Sequence, residues 1–157
     1  MSSSWDIKLA STDDFERWMA FVATVQDEFH GLDLVNDSNY RAAVSKNIER
    51  KTAAYVSESE AGPIIGAMIL SPRSRHIGWL AVGKAHRHRG IGSALVRYAI
   101  DILGTDTPIH VSTFTETDPQ GPAAHGFYRS LGFRPLRIEE DVDNLNAGKP
   151  FHLFEFP

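Results

Sequence analysis

The stretch His76–Gly104, HIGWLAVGKAHRHRGIGSALVRYAIDILG, constrains the fold more than any other part of the chain. HIGWLAV reads as a strand. SALVRYAIDILG puts Ala94, Leu95, Tyr98, Ala99 and Ile102 on one helical face, with Gly104 as the stop. Between them a loop gathers Lys84, Arg87 and Arg89 with two histidines, directly ahead of Gly90 and Gly92. The whole chain has a formal charge of −4, so cations collected at a helix start need a reason. A helix N-terminus presents unpaired N–H groups and the positive end of its dipole. Glycines let backbone approach an anion, because no Cβ stands in the way. Strand, R-x-x-G-x-G and helix together suit a phosphate.

The remaining elements follow from period and turn chemistry. DIKLA is a short strand. STDDFERWMAFVATVQDEF starts a helix with Ser11 or Thr12 as cap and Phe15, Trp18, Met19 and Val22 on one face. DSNYRAAVSKNIERK is a second helix capped by Asp37 or Ser38. TAAYVSES, PIIGAMIL and HIGWLAV form a meander, PIHVSTF is a strand, and PAAHGFYRSLGF is a short helix between Pro122 and Gly132. PLRIEED and FHLFEF close the chain as strands joined at NLNAG. The order β-α-α-β-β-β-α-β-α-β-β is mixed α/β. No linker divides residues 1–157, so a single domain is expected.

Composition narrows the chemistry. There is no cysteine, which excludes disulfides, thiolate metal sites and a cysteine nucleophile. No apolar run approaches the ~20 residues of a membrane span, and the N-terminus lacks an apolar signal core, so a soluble, cytoplasmic protein is expected. The loop is neither a P-loop nor the G-x-G-x-x-G dinucleotide fingerprint. His86 and His88 lack carboxylates nearby, so no metal is expected. Alone, the loop also fits a solvated basic turn. RNA binding through HRHR is opposed by the overall charge and by the lack of aromatic strand signatures.

Downstream of the loop lies GPAAHGFYRSLGFRP, and the pair of segments carries a family resemblance. WLAVGKAHRHRGIGSALV resembles the central Q/R-x-x-G-x-G/A motif of the GNAT superfamily of N-acetyltransferases. Ala124, Tyr128, Gly132 and Phe133 match that family's A-x-x-x-Y-x-x-x-G-F motif. The resemblance is specific from about Trp79 to Phe133 and topological elsewhere. It implies a central, mostly antiparallel, twisted sheet flanked by helices, with acetyl-CoA as cosubstrate.

Carried over residue by residue, the resemblance implies pyrophosphate binding by the backbone of His88, Arg89, Gly90, Ile91 and Gly92, helped by Ser93 and the Arg87 side chain. A bulged strand would splay from its neighbour and hold pantetheine near Leu80 and Val82, with the Val82 N–H polarising the thioester carbonyl. Tyr128 would face the CoA sulfur. Many members carry an asparagine where this chain has Gly121, seven residues before Tyr128. The position of the family's catalytic glutamate, eleven residues before Arg87, holds His76; Glu116 is a second candidate base. Glu28 and His30 lie where the family often forms its acceptor pocket. The expected reaction is acetyl transfer to a primary amine of a small molecule or peptide, by direct attack in a ternary complex. A non-catalytic acyl-CoA sensor is the competing reading, and a homodimer is the self-association left open.

Overall fold

The computed structural model describes residues 5–141 and 149–157. Its seven strands form one sheet in the order β1-β2-β3-β4-β5-β7-β6. Along the chain the elements are β1 (Lys8–Leu9), α1 (Phe15–Val25), α2 (Ser38–Glu49), β2 (Ala53–Ser57), β3 (Ile64–Ser71), β4 (His76–Val82), α3 (Ile91–Leu103), β5 (Ile109–Thr113), α4 (Gly121–Ser130), β6 (Arg134–Glu139) and β7 (Phe151–Phe156). This is the expected order of elements. Among these strands only β4 and β5 pair in parallel. The expected NLNAG turn lies outside the described residues.

Alternation along the strands builds two cores. Ala53 and Tyr55 face one side with Trp18, Phe21 and Val22 of α1 and Val44 and Ile48 of α2. Ala54 and Val56 face the other with Ile91, Leu95 and Ala99 of α3 and Tyr128 of α4. This is the two-residue strand period read against the helical one. Asp37 caps α2 by accepting N–H bonds from Asn39 and Tyr40 at 2.8 and 3.1 Å. α1 is shorter than its sequence pattern, because single 3₁₀ turns flank it at Thr12–Asp14 and Gln26–Glu28.

Two features place α3 against the sheet. A Cβ on Gly66 of β3 would come within 2.5 Å of the Ile91 side chain, so glycine admits the first residue of the helix. At the far end, Arg75 donates to the carbonyls of Leu103, Gly104 and Thr107 at 2.6–2.7 Å, closing the C-terminus of the helix onto the β3–β4 turn. Ile102 departs from expectation. It is 57% exposed, while its neighbour Leu103 is the residue of the last turn that packs against the core.

Candidate active site

The cleft originates in a failure of pairing. β4 and β5 register only at His76↔His110 and Ile77↔Val111. Immediately beyond, Gly78 has no partner in β3, where Leu70 pairs Ile77 and Ile69 pairs Trp79. Such a bulge bends its strand, and the two strands part. A cavity of about 420 Å³ occupies the gap, lined by Leu80, Ala81 and Val82 on one side and Thr113 and Phe114 on the other.

Backbone direction makes this gap a binding edge. The Gly83 N–H donates to Ile65 of β3 at 2.8 Å. Successive N–H groups of a strand point to opposite sides, so those of Val82 and Leu80 point toward the opening. The Val82 carbonyl is taken by the Arg87 side chain at 3.1 and 3.2 Å.

The basic loop closes one end of the cavity with His86, Arg87, His88, Gly90, Ile91, Gly92 and Ser93. Gly90 begins α3 with φ 82°, and no side chain caps the helix. The N–H groups of the first turn therefore keep their donor capacity beside the cavity. The two motif glycines serve different ends. At Gly90 there is open space around a would-be Cβ, and the left-handed backbone is the requirement. At Gly92 a Cβ would stand 3.1 Å from the Phe127 ring, so glycine lets α4 pack close to α3.

α4 adds Ala123, Ala124, Phe127 and Tyr128 to the wall. Tyr128 is buried, 5% exposed, and burial pushes its phenol well above the ordinary value of 10.0. It therefore stays protonated across the physiological range. An uncapped helix N-terminus, an unpaired strand edge and a protonated phenol share one cavity, which fits a ligand with an anionic end and an extended polar arm.

A family model described as an acetyltransferase (GNAT) domain matches residues 50–135. The chain belongs to the GNAT acetyltransferase family. Its fold is similar to that of a GNAT acetyltransferase from Bacillus cereus, at 19% identity over 98% of this chain and 96% of that one, with a TM-score of 0.70. Ard1 from Thermoplasma volcanium gives 18% identity, coverage of 97% and 96% and a TM-score of 0.69. Arabidopsis thaliana Naa50, in complex with the bisubstrate analogue CoA-Ac-MVNAL, gives 15%, coverage of 97% of each chain and 0.70. No curated protein sequence matches significantly.

Within this GNAT domain the site residues expected from sequence divide into those at the cavity and those away from it. Leu80, Val82, Arg87, His88, Gly90, Ile91, Gly92, Ser93, Tyr128 and Glu28 line it. Arg89 does not. Its guanidinium lies over the Trp5 ring and against His86. Arg87 is at the wall, but its guanidinium is engaged by both carboxylate oxygens of Glu28. That pair leaves neither side chain free for a ligand without exchange of partners. His30 is buried, with its Nδ1 3.2 Å from the Asp118 carboxylate. Glu116 is 75% exposed at 3.9 Å from His125 Nδ1 and is not part of the wall.

His76 sits at the closed end of the β4–β5 gap, not at the cavity. Its Nε2 is 3.0 Å from Ser112 Oγ on β5. Burial, reinforced by neighbouring His110, lowers its pKa from the ordinary 6.5, while Glu139 acts in the opposite direction. Four residues separate it from Leu80, about 13 Å of extended strand. His76 is not among the residues that line the cavity, and its contact nearest to it is Ser112, the neighbour of the lining residue Thr113.

The Gly121 departure has a steric cause. A Cβ there would lie 1.9 Å from the Thr115 carbonyl oxygen, so the β5–α4 loop packs onto the start of α4 where other members carry asparagine. The sequence reading missed Phe29, Phe114 and Phe127. Phe29 stacks on Trp79 at 5.6 Å and meets Phe114 at 5.9 Å, bridging the parted strands. The only signal available for Phe127 was its place beside Tyr128.

Proposed function

We propose that this GNAT-family chain moves an acetyl group from acetyl-CoA to a primary amine of a small molecule or peptide, by direct attack in a ternary complex. The observation that carries the reading is the uncapped α3 N-terminus opening on the same cavity as the unpaired β4 edge and Tyr128. The thioester of the cosubstrate supplies an activated acyl group. The first-turn N–H groups of α3 hold its phosphates, and the outward N–H groups of Leu80 and Val82 hold its arm and polarise the carbonyl.

The amine nitrogen attacks the carbonyl carbon, the C–S bond breaks, and the sulfur leaves with the bonding electrons as thiolate. A thiol of pKa near 8.5 is a stronger acid than a phenol near 10, and burial raises the Tyr128 phenol further. Full proton transfer from Tyr128 to the thiolate is therefore uphill. Its role is to donate a hydrogen bond that stabilises the leaving group, with the proton supplied later by solvent. On the other side an alkylammonium of pKa about 10.4 must lose a proton, which near pH 7 costs about 4–5 kcal/mol. His76, kept neutral by burial, accepts that proton through Ser112 or water.

A screen of thiol release from acetyl-CoA against amines, amino acids, polyamines, aminoglycosides and peptides with free N-termini tests the reading. Turnover with one of these supports it. Thermal stabilisation by acetyl-CoA with no turnover on any would favour an acyl-CoA sensor, and no stabilisation would remove the cosubstrate itself.

A further inference from the structure

Trp5 lies outside the segment matched by the family model, yet it touches the loop that opens α3. Its indole Nε1–H donates to the Arg89 carbonyl at 2.8 Å, across 84 residues of sequence. The Arg89 guanidinium lies 5.1 Å from the centre of the Trp5 ring, a cation–π distance. The ring also packs against the core shared with α3.

Peptide geometry gives this contact a consequence. Among the described residues every peptide bond is trans, and in a planar trans amide the C=O and the following N–H point in opposite directions. Holding the Arg89 carbonyl on Trp5 therefore turns the Gly90 N–H away from Trp5, and Gly90 lines the cavity while Trp5 does not. The flanking backbone is left-handed at His88 (φ 62°) and Gly90 (φ 82°). Of the two, His88 is the residue that pays a steric cost for this conformation. The cation–π contact meanwhile keeps the Arg89 side chain off the cavity.

We infer that Trp5 is a positioning residue for the phosphate-binding loop: it fixes the Arg89–Gly90 peptide so that its N–H serves the anionic end of the acyl donor. This rests on the acyl-CoA reading above. The donor site is then built from two segments, an N-terminal one and the R-x-x-G-x-G loop.

Trp5→Phe keeps an aromatic ring for Arg89 and removes the N–H together with the five-membered half of the indole. It raises KM for acetyl-CoA about threefold to tenfold, the effect of one hydrogen bond, with kcat unchanged. With S-acetylpantetheine, which has the same thioester and no pyrophosphate, kcat/KM stays within about twofold of wild type. CoA binding by calorimetry weakens in parallel with the KM change. Trp5→Ala exceeds Trp5→Phe in the same direction, with melting temperature followed to check the fold. Equal losses with both donors would reveal a general structural role and overturn the inference, as would unchanged KM and CoA binding in Trp5→Phe. Wild-type protein that neither binds CoA nor turns over acetyl-CoA would overturn the underlying reading itself. Wild-type turnover beside an indifferent Trp5→Phe would overturn this inference alone.

Discussion

Gly90, Ile91, Gly92 and Ser93 line the cleft as one continuous stretch, whereas Glu28 and Phe29 reach it from a segment, 27–30, whose polar side chains are paired across the molecule. Asp27 meets Lys84 at 2.6 Å, Glu28 meets Arg87, and His30 meets Asp118. The first region binds by helix geometry and glycine conformation, which are local properties. The second is a strap joining the β4–α3 loop to the β5–α4 loop, with Phe29 between the strands as its apolar anchor. A strap of side-chain pairs depends on residues far apart in sequence meeting in the fold.

The largest effect expected is at Tyr128, on the locally built side. Tyr128→Phe keeps the ring that packs on Phe133 at 5.6 Å and removes the hydroxyl. It lowers kcat about a hundredfold while KM for acetyl-CoA stays within about twofold, measured by steady-state thiol release. Unchanged kcat would take the phenol out of the reaction and leave it as a core aromatic.

Gly121→Asn comes next and tests whether a family residue can be restored. The added Cβ collides with backbone, not with a flexible side chain. The β5–α4 loop has to move, with a loss of about 1–3 kcal/mol of stability in denaturant titration. A variant as stable as wild type with tighter CoA binding would show that the loop yields and that asparagine was merely absent.

These two positions also show what the sequence made legible. The strand HIGWLAV matches β4 to the residue, since its flanking turns and alternation are local. The α3 start lies earlier than the SALV pattern suggests, because Gly90 in a left-handed conformation begins the helix at Ile91. The apolar stripe named Ile102, but the core takes Leu103 in that turn, and periodicity alone does not say which flank of the stripe is covered. Glu28 stood out as an acid near an expected pocket, but its partner Arg87 is 59 residues away. Nothing in either segment announces that pairing. For the same reason Arg87 reads from sequence as a phosphate ligand, and the structure has it tying the strap to the Val82 carbonyl.

Glu28→Gln addresses the strap with a smaller effect. The Arg87 side chain is 36% exposed, so solvent screens the pair and its loss costs about 1 kcal/mol or less. The informative readout is which KM moves. If the strap shapes the acceptor side, KM for the amine changes by a few-fold and KM for acetyl-CoA does not. If the freed Arg87 instead turns to the phosphates, acetyl-CoA binding tightens and the two regions share a residue, which would break the distinction between them.

The smallest effect is confined to acid pH and concerns His76. Burial and the nearby His110 lower its pKa from 6.5, so the neutral form, the one able to take a proton, persists below that value. Activity dependent on it holds down through pH 6.5 and falls only as pH drops through the lowered pKa. The same depression makes the native state prefer the neutral ring, so its contribution to stability is present above 6.5 and is lost in acid. Because His76 lies away from the cavity and reaches it through Ser112 or water, its removal slows turnover and leaves KM for acetyl-CoA alone. His76→Ala should therefore lose the acidic limb of kcat/KM, and Ser112→Ala should weaken it with His76 intact. A limb retained in His76→Ala eliminates the histidine as base, and one lost there but untouched in Ser112→Ala places the proton path through water instead of the hydroxyl.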